Sequence, residues 1–110
     1  MSALDKEAID EIWEGDLETF AEIGEIFIGE LEWRLPGLKE ANANDLEHHA
    51  HSLKGAASNI GATELSRLAT ELEAIAKTAN EARVTPLVAS VVIEAERVCD
   101  ALKKDYLGDR

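Results

Sequence analysis

The sequence predicts an all-α protein, and three observations carry that expectation. Apolar residues fill 45% of the 110 positions, enough for the packed core of one domain spanning 1–110. Two prolines and seven glycines leave room for long helices, and Leu, Ala, Glu and Ile dominate the rest. Apolar residues recur at intervals of three and four in four or five segments, with no convincing strand.

The first segment has Ser2 as its cap, with Asp5 three residues on as a weak capping box. Leu4, Ala8, Ile9 and Ile12 share one face, and Gly15 is the expected stop. Asp16 caps the second segment, where Phe20, Ile23, Phe27, Ile28 and Leu31 follow helical spacing. Leu35-Pro36-Gly37 should kink or briefly break it, because proline removes a donor and disfavours a helical residue before it. Leu38 and Ala41 then resume the pattern.

Asn44, with Glu47 three residues later, is the expected start of the third helix, which should run to about Ile60 and stop at Gly61. Thr63 is the expected cap of the fourth, which carries Leu65, Leu68, Leu72 and Ile75 and ends by Asn80. Thr85-Pro86 reads as a cap followed by proline at the first helical position. Leu87, Val91, Ala95, Val98 and Leu102 line the last helix, which should end near Gly108. Connections of a few residues suit antiparallel neighbours.

The formal net charge of −12 argues against nucleic acid and anionic membrane surfaces as partners, while a basic patch on another protein remains compatible with it. A single cysteine, Cys99, excludes an intramolecular disulfide and fits a reducing, cytoplasmic location, with Cys99 read as a small buried side chain. No signal-peptide pattern follows Met1, and no apolar run reaches the ~18–20 residues of a membrane span.

The third helix carries the chemistry. With about 100° per residue and Leu46 at zero, Ala50, Leu53, Ala57 and Ile60 fall within about 40° and form the core face. Lys54 falls near 80°, Ser58 near 120°, His51 near 140° and Gly55 near 180°. These four form one outward stripe, and Gly55 is the member most opposed to the core. Glycine inside a helix costs roughly 0.5–1 kcal/mol relative to alanine. Close approach of another molecule to the backbone is a physical reason to keep it there. An exposed imidazole is mostly neutral at pH 7, so one ring nitrogen is a competent nucleophile. Lys54 can screen negative charge on what it attacks or carries, Gly55 clears space, and the small Ser58 can donate a hydrogen bond. Such a set suits an imidazole that accepts a phosphoryl group.

"AHSLKGAASNIGA", residues 50–62, resembles the signature of histidine-containing phosphotransfer domains of two-component phosphorelays. His51, Leu53, Lys54, Gly55, Ala56, Ala57, Ile60, Gly61 and Ala62 match the pattern, and Leu65, Leu68, Leu72 and Glu73 match the helix after it. The resemblance implies an antiparallel four-helix bundle with a short additional N-terminal helix. It implies that His51 takes a phosphoryl group from a receiver-domain aspartate and passes it to another receiver, with Lys54 as charge partner and Gly55 and Ser58 as clearance and flank. The carrier would have no kinase activity or bound cofactor of its own, since the receiver supplies Mg²⁺. No ATP-binding motif occurs in the chain, and a free-standing monomer is expected. The implied partners are response-regulator receiver domains, with a hybrid sensor kinase as a further candidate.

Three other readings compete. Glu47, His48 and His51 have spacings that can share a metal ion, but Zn²⁺ sites take three or four ligands and Lys54 opposes a cation, so no metal site is expected. A helical module could dock a partner on the same face without phosphotransfer. An incidental surface histidine is the plainest alternative, and the Lys54-Gly55 context speaks against it. His48 falls on the exposed side as a spectator, and His49 falls about 60° from the core centre, at a helix contact. Trp13 and Trp33 read as packing or rim residues. Glu71, Glu73 and Lys77 could border the His51 face from the neighbouring helix.

Overall fold

The computed structural model describes residues 2–78 and 80–108, and for residue 43 the backbone alone. The chain forms α1 (Lys6–Trp13), α2 (Leu17–Glu40), α3 (Ala43–Asn59), α4 (Thr63–Ala76) and α5 (Glu81–Asp105), with no strand among the described residues. α2 packs on α3, α3 on α4, α4 on α5 and α5 back on α2. No helix among these residues is long and apolar enough to cross a membrane.

Each helix buries the face its spacing marks. Phe20, Phe27, Leu31 and Leu38 of α2 meet Leu46, Ala50, Leu53 and Ala57 of α3, Leu65, Ala69 and Leu72 of α4, and Val91, Ala95, Val98 and Leu102 of α5 in one core. Phe20 is fully buried and takes Trp13 and Tyr106 edge-on, with ring centroids 6.0 and 4.8 Å away. Cys99 is half-buried at the edge of this core.

Several helix ends differ from the sequence expectation. Asp5, not Ser2, caps α1, its carboxylate accepting from the N–H groups of Glu7 and Ala8. The Ser2 hydroxyl accepts from Leu4 instead. Asn42, not Asn44, caps α3, its side chain accepting from the Asp45 N–H at 3.0 Å. The Asn44–Glu47 box is therefore inside the helix. Thr63 is the first residue of α4 rather than its cap, because the buried Ala62 holds the cap position and accepts from the Ser66 N–H.

The prolines interrupt nothing. α2 continues through Leu35-Pro36-Gly37. Pro36 and Glu32 are both exposed, so water can reach the carbonyl left without a donor. Leu31 and Leu38, buried on either side, hold the helix to the core. Likewise α5 starts at Glu81, four residues before the expected Thr85 cap, and carries Pro86 with an exposed Ala82 one turn back.

α1 is fastened to the α3–α4 turn, which lies next to the functional face. The Asp5 N–H donates to the Gly61 carbonyl at 2.8 Å, and the Trp13 indole N–H donates to the Asn59 carbonyl at 2.9 Å. Gly61 has φ +72°, and a Cβ there would lie 2.6 Å from Ile9 Cγ1. Only glycine satisfies both conditions at low cost. Gly61→Ala should therefore destabilise the protein by about 2 kcal/mol or more, through backbone strain and displacement of Ile9. Urea unfolding monitored by circular dichroism measures the loss.

Candidate functional site

α3 buries Leu46, Ala50, Leu53, Ala57 and Ile60, the face assigned by its periodicity. His51, Gly55 and Ser58 are exposed on the other side, and Lys54 is half-buried at the margin. The His51 side chain is 63% exposed. A Cβ on Gly55 would meet nothing within 4 Å, so the helix backbone is bare beside the imidazole.

The residue that organises this face comes from α4. Glu73 presents one oxygen to each of two partners: Oε2 lies 2.9 Å from His51 Nδ1, and Oε1 accepts from Lys54 Nζ at 3.2 Å. Burial raises the Glu73 carboxyl, but hydrogen bonds and charge from Lys54 and His51 outweigh it and hold the group below its ordinary value. Glu73 is thus a carboxylate at neutral pH and can only accept. The proton between the two side chains accordingly resides on His51 Nδ1, which leaves the Nε2 lone pair of the neutral ring as the unprotonated position.

Contacts above and below repeat the pairing. Ser58 Oγ lies 2.7 Å from Ser66 Oγ, and Lys77 Nζ lies 3.7 Å from Glu47 Oε1. These pairs descend α3 as they ascend α4, the register of two helices running in opposite directions. Ser58 therefore lies against Ser66, whose hydroxyl also reaches the Lys54 carbonyl. Asn44, Glu47, His48, His51 and Glu73 line a shallow depression of about 350 Å³. Among the described residues, no group of three His, Cys, Asp or Glu side chains is placed to hold a metal ion.

On its other flank α3 meets α2. The Arg34 side chain is 10% exposed. It donates from Nη1 to Ser52 Oγ at 2.8 Å and from Nε and Nη2 to Glu30 Oε1 at 3.2 and 3.1 Å. His49 is half-buried against Gly37, where a Cβ would come within 3.0 Å of the imidazole. His48 is exposed. Sequence reasoning did not single out Arg34, although its Glu30 partner one turn earlier was a visible signal. It named Glu73 without locating it. The three-residue link of Ile60, Gly61 and Ala62 implies antiparallel neighbours, and that register brings Glu73 opposite His51.

An outward histidine, a lysine and a bare glycine on one helix, clamped by a carboxylate of the next, raise the question of family. The Hpt domain matches residues 17–105, which takes in all of α2 to α5. The chain belongs to the Hpt domain family. Hpt domains are helical bundles that act in two-component phosphorelays, where they interact with receiver domains as phosphocarriers rather than kinases. Comparison with the curated proteins and with the solved structures found no match.

The Glu73 clamp makes a pH prediction. Its carboxyl titrates lower in the folded protein than the ordinary 4.5, so between the two values the unfolded chain binds more protons and stability rises with pH. The contribution is complete above the ordinary value and is lost as pH falls through the folded one. Urea melts over an acid pH series should show wild type more stable than Glu73→Gln at neutral pH, with the difference shrinking below pH 4.5.

Proposed function

We propose that this Hpt domain is a phosphorelay intermediate in which Nε2 of His51 accepts a phosphoryl group from a receiver-domain aspartate and returns it to a second receiver. The observation that carries this reading is the imidazole itself, exposed, with Nδ1 2.9 Å from Glu73 Oε2 and Nε2 outside that contact. In the forward step, the Nε2 lone pair forms a bond to phosphorus while the bond from phosphorus to the aspartyl oxygen breaks. The receiver recovers its carboxylate. The Nδ1 proton stays on the ring, and Glu73 offsets the positive charge the ring gains. Lys54 lies within the same cluster and can turn its ammonium toward the transferred oxygens.

Gly55 gives the receiver clearance to approach the backbone, and Ser58 flanks that approach. The Mg²⁺ and catalytic carboxylates belong to the receiver, so the carrier needs no cofactor or kinase activity of its own. We read α2 to α5 as an antiparallel four-helix bundle, with α1 as the short additional helix, in a single monomeric domain. We place it in the cytoplasm, where receivers and a hybrid sensor kinase would meet it.

The test is transfer from phosphorylated receiver domains of the same genome. His51→Gln should abolish acid-labile phosphate on the protein with little change in its thermal midpoint. Lys54→Ala should slow transfer without unfolding the domain. If His51→Gln still accepts phosphate, the assignment fails. Binding of a receiver with no transfer would favour the docking-module reading.

Gly55 separates docking from folding. Gly55→Ala should stabilise the helix by roughly 0.5–1 kcal/mol, because the added methyl meets open space. Gly55→Leu should keep the fold, as judged by circular dichroism, and sharply slow transfer from a receiver. A Gly55→Leu protein that transfers at the wild-type rate would remove the clearance role.

A further inference from the structure

A groove of about 590 Å³ opens where α2 ends and α5 begins, and it shares no residue with the depression beside His51. Its volume is that of a small-molecule site. Leu38 of α2, Leu46 of α3 and Val84, Val88, Val92 and Ile93 of α5 supply the apolar lining. Alanines keep the space open. Ala41, Ala76 and Ala89 come from the α2–α3 turn, the end of α4 and the first half of α5, and each fills its part of the wall with a single methyl. Residues 84–93 of α5 read VTPLVASVVI and carry no charge, in a chain whose residues are 31% charged. Measured from Val91 on the core face, Val88, Val92, Thr85 and Ala89 fall at about 60–160°, so the groove lies along the flank of α5 beside that face.

The polar groups of the lining gather near its helix ends. Lys39 is exposed in the last turn of α2, and among the described residues no carboxylate stands within ion-pair distance of it. Asn42 uses its side-chain oxygen to accept from the Asp45 N–H, which leaves its amide N–H groups to donate. Thr85 adds a hydroxyl. Glu81 is the first residue of α5, where the helix N-terminus, given no side-chain cap by Asn80, balances its charge. An apolar wall with one ammonium and two neutral donors suits an apolar tail that ends in a single anionic head. A cationic amphiphile would set its charge against Lys39. A second copy of the chain would bring its own formal charge of −12 with it.

We propose that this groove binds an amphipathic monocarboxylate, with its apolar tail against Leu38, Val88 and Val92 and its head paired with Lys39 and the Asn42 amide. The assignment does not rest on the role of His51, and either can fail without the other.

The experiment is an NMR titration of the ¹⁵N-labelled protein with three eight-carbon probes below micelle formation: octanoate, octanol and octyltrimethylammonium. Octanoate should bind saturably at one site, tightest of the three, and shift the amides around Leu38, Val88 and Val92. Hexanoate should bind roughly tenfold more weakly, because two methylenes less are buried. Lys39→Gln should weaken octanoate roughly threefold and leave octanol within about twofold, while the control Lys104→Gln, at the far end of α5, changes neither. Ala89→Phe puts a ring into the groove from an exposed position and should abolish octanoate binding with the circular dichroism spectrum unchanged.

No saturation at millimolar octanoate overturns the proposal, as do amide shifts centred away from the groove. So does octanol or octyltrimethylammonium binding as tightly as octanoate, the second of which would point to a basic partner. Groove amides that shift on dilution of the protein alone would assign the surface to a second copy and overturn it too. Should Ale89 variants lower the thermal midpoint, the comparison of head groups on wild type and Lys39→Gln decides the outcome.

Discussion

The register between α3 and α4 is the constraint on which the site depends. It is set at one end by the left-handed Gly61 and fastened along its length by Ser58 with Ser66, His51 with Glu73, and Glu47 with Lys77. Small residues let the two helices meet closely: Ala50, Ala57, Ala62 and Ala69 are all fully buried. Slipping one helix by a single residue would rotate Glu73 by about 100° relative to His51. The imidazole would then lose its fixed tautomer, and Lys54 its partner. α1 contributes indirectly, since Asp5 and Trp13 donate to carbonyls at this turn.

Around that register the molecule divides its surface. The α4 flank of His51 is charged and hydrogen-bonded, with His51, Lys54 and Ser58 each given a side-chain partner on the adjacent helix. The α2 flank offers an indole, an isoleucine and an uncovered stretch of backbone. Two exposed glycines, Gly29 and Gly55, sit in helix interiors where alanine would fit. Both forgo helix propensity, a loss that is compensated where another backbone must come close.

The sequence made the elements and their inward faces legible because periodicity reports burial directly. The outward stripe of His51, Lys54 and Gly55 followed from the same wheel. Helix ends were less legible. Asp5 and Asn42 outcompeted the caps suggested by Ser2 and Asn44, because several short polar residues cluster at each entry and spacing alone does not rank them. Pro36 was overweighted as a breaker and Pro86 as a helix start. Core contacts on both sides of Pro36, and solvent at the carbonyls the prolines orphan, let both helices run on. Glu73 and Arg34 act across helix boundaries, so their roles needed a register and not only a period.

The shared carboxylate has a consequence for energy storage. One negative charge on Glu73 is balanced by one positive charge on Lys54, so with a neutral imidazole the resting cluster carries almost no net charge. On the phosphotransfer reading, a phosphoryl group would bring about two negative charges against the ring's one gained positive charge and the Lys54 ammonium, which Glu73 already engages, on a protein whose formal charge is already −12. Such a loaded state would be only partly neutralised, and the group would keep a high transfer potential. A site with more cations would hold phosphate better and deliver it worse.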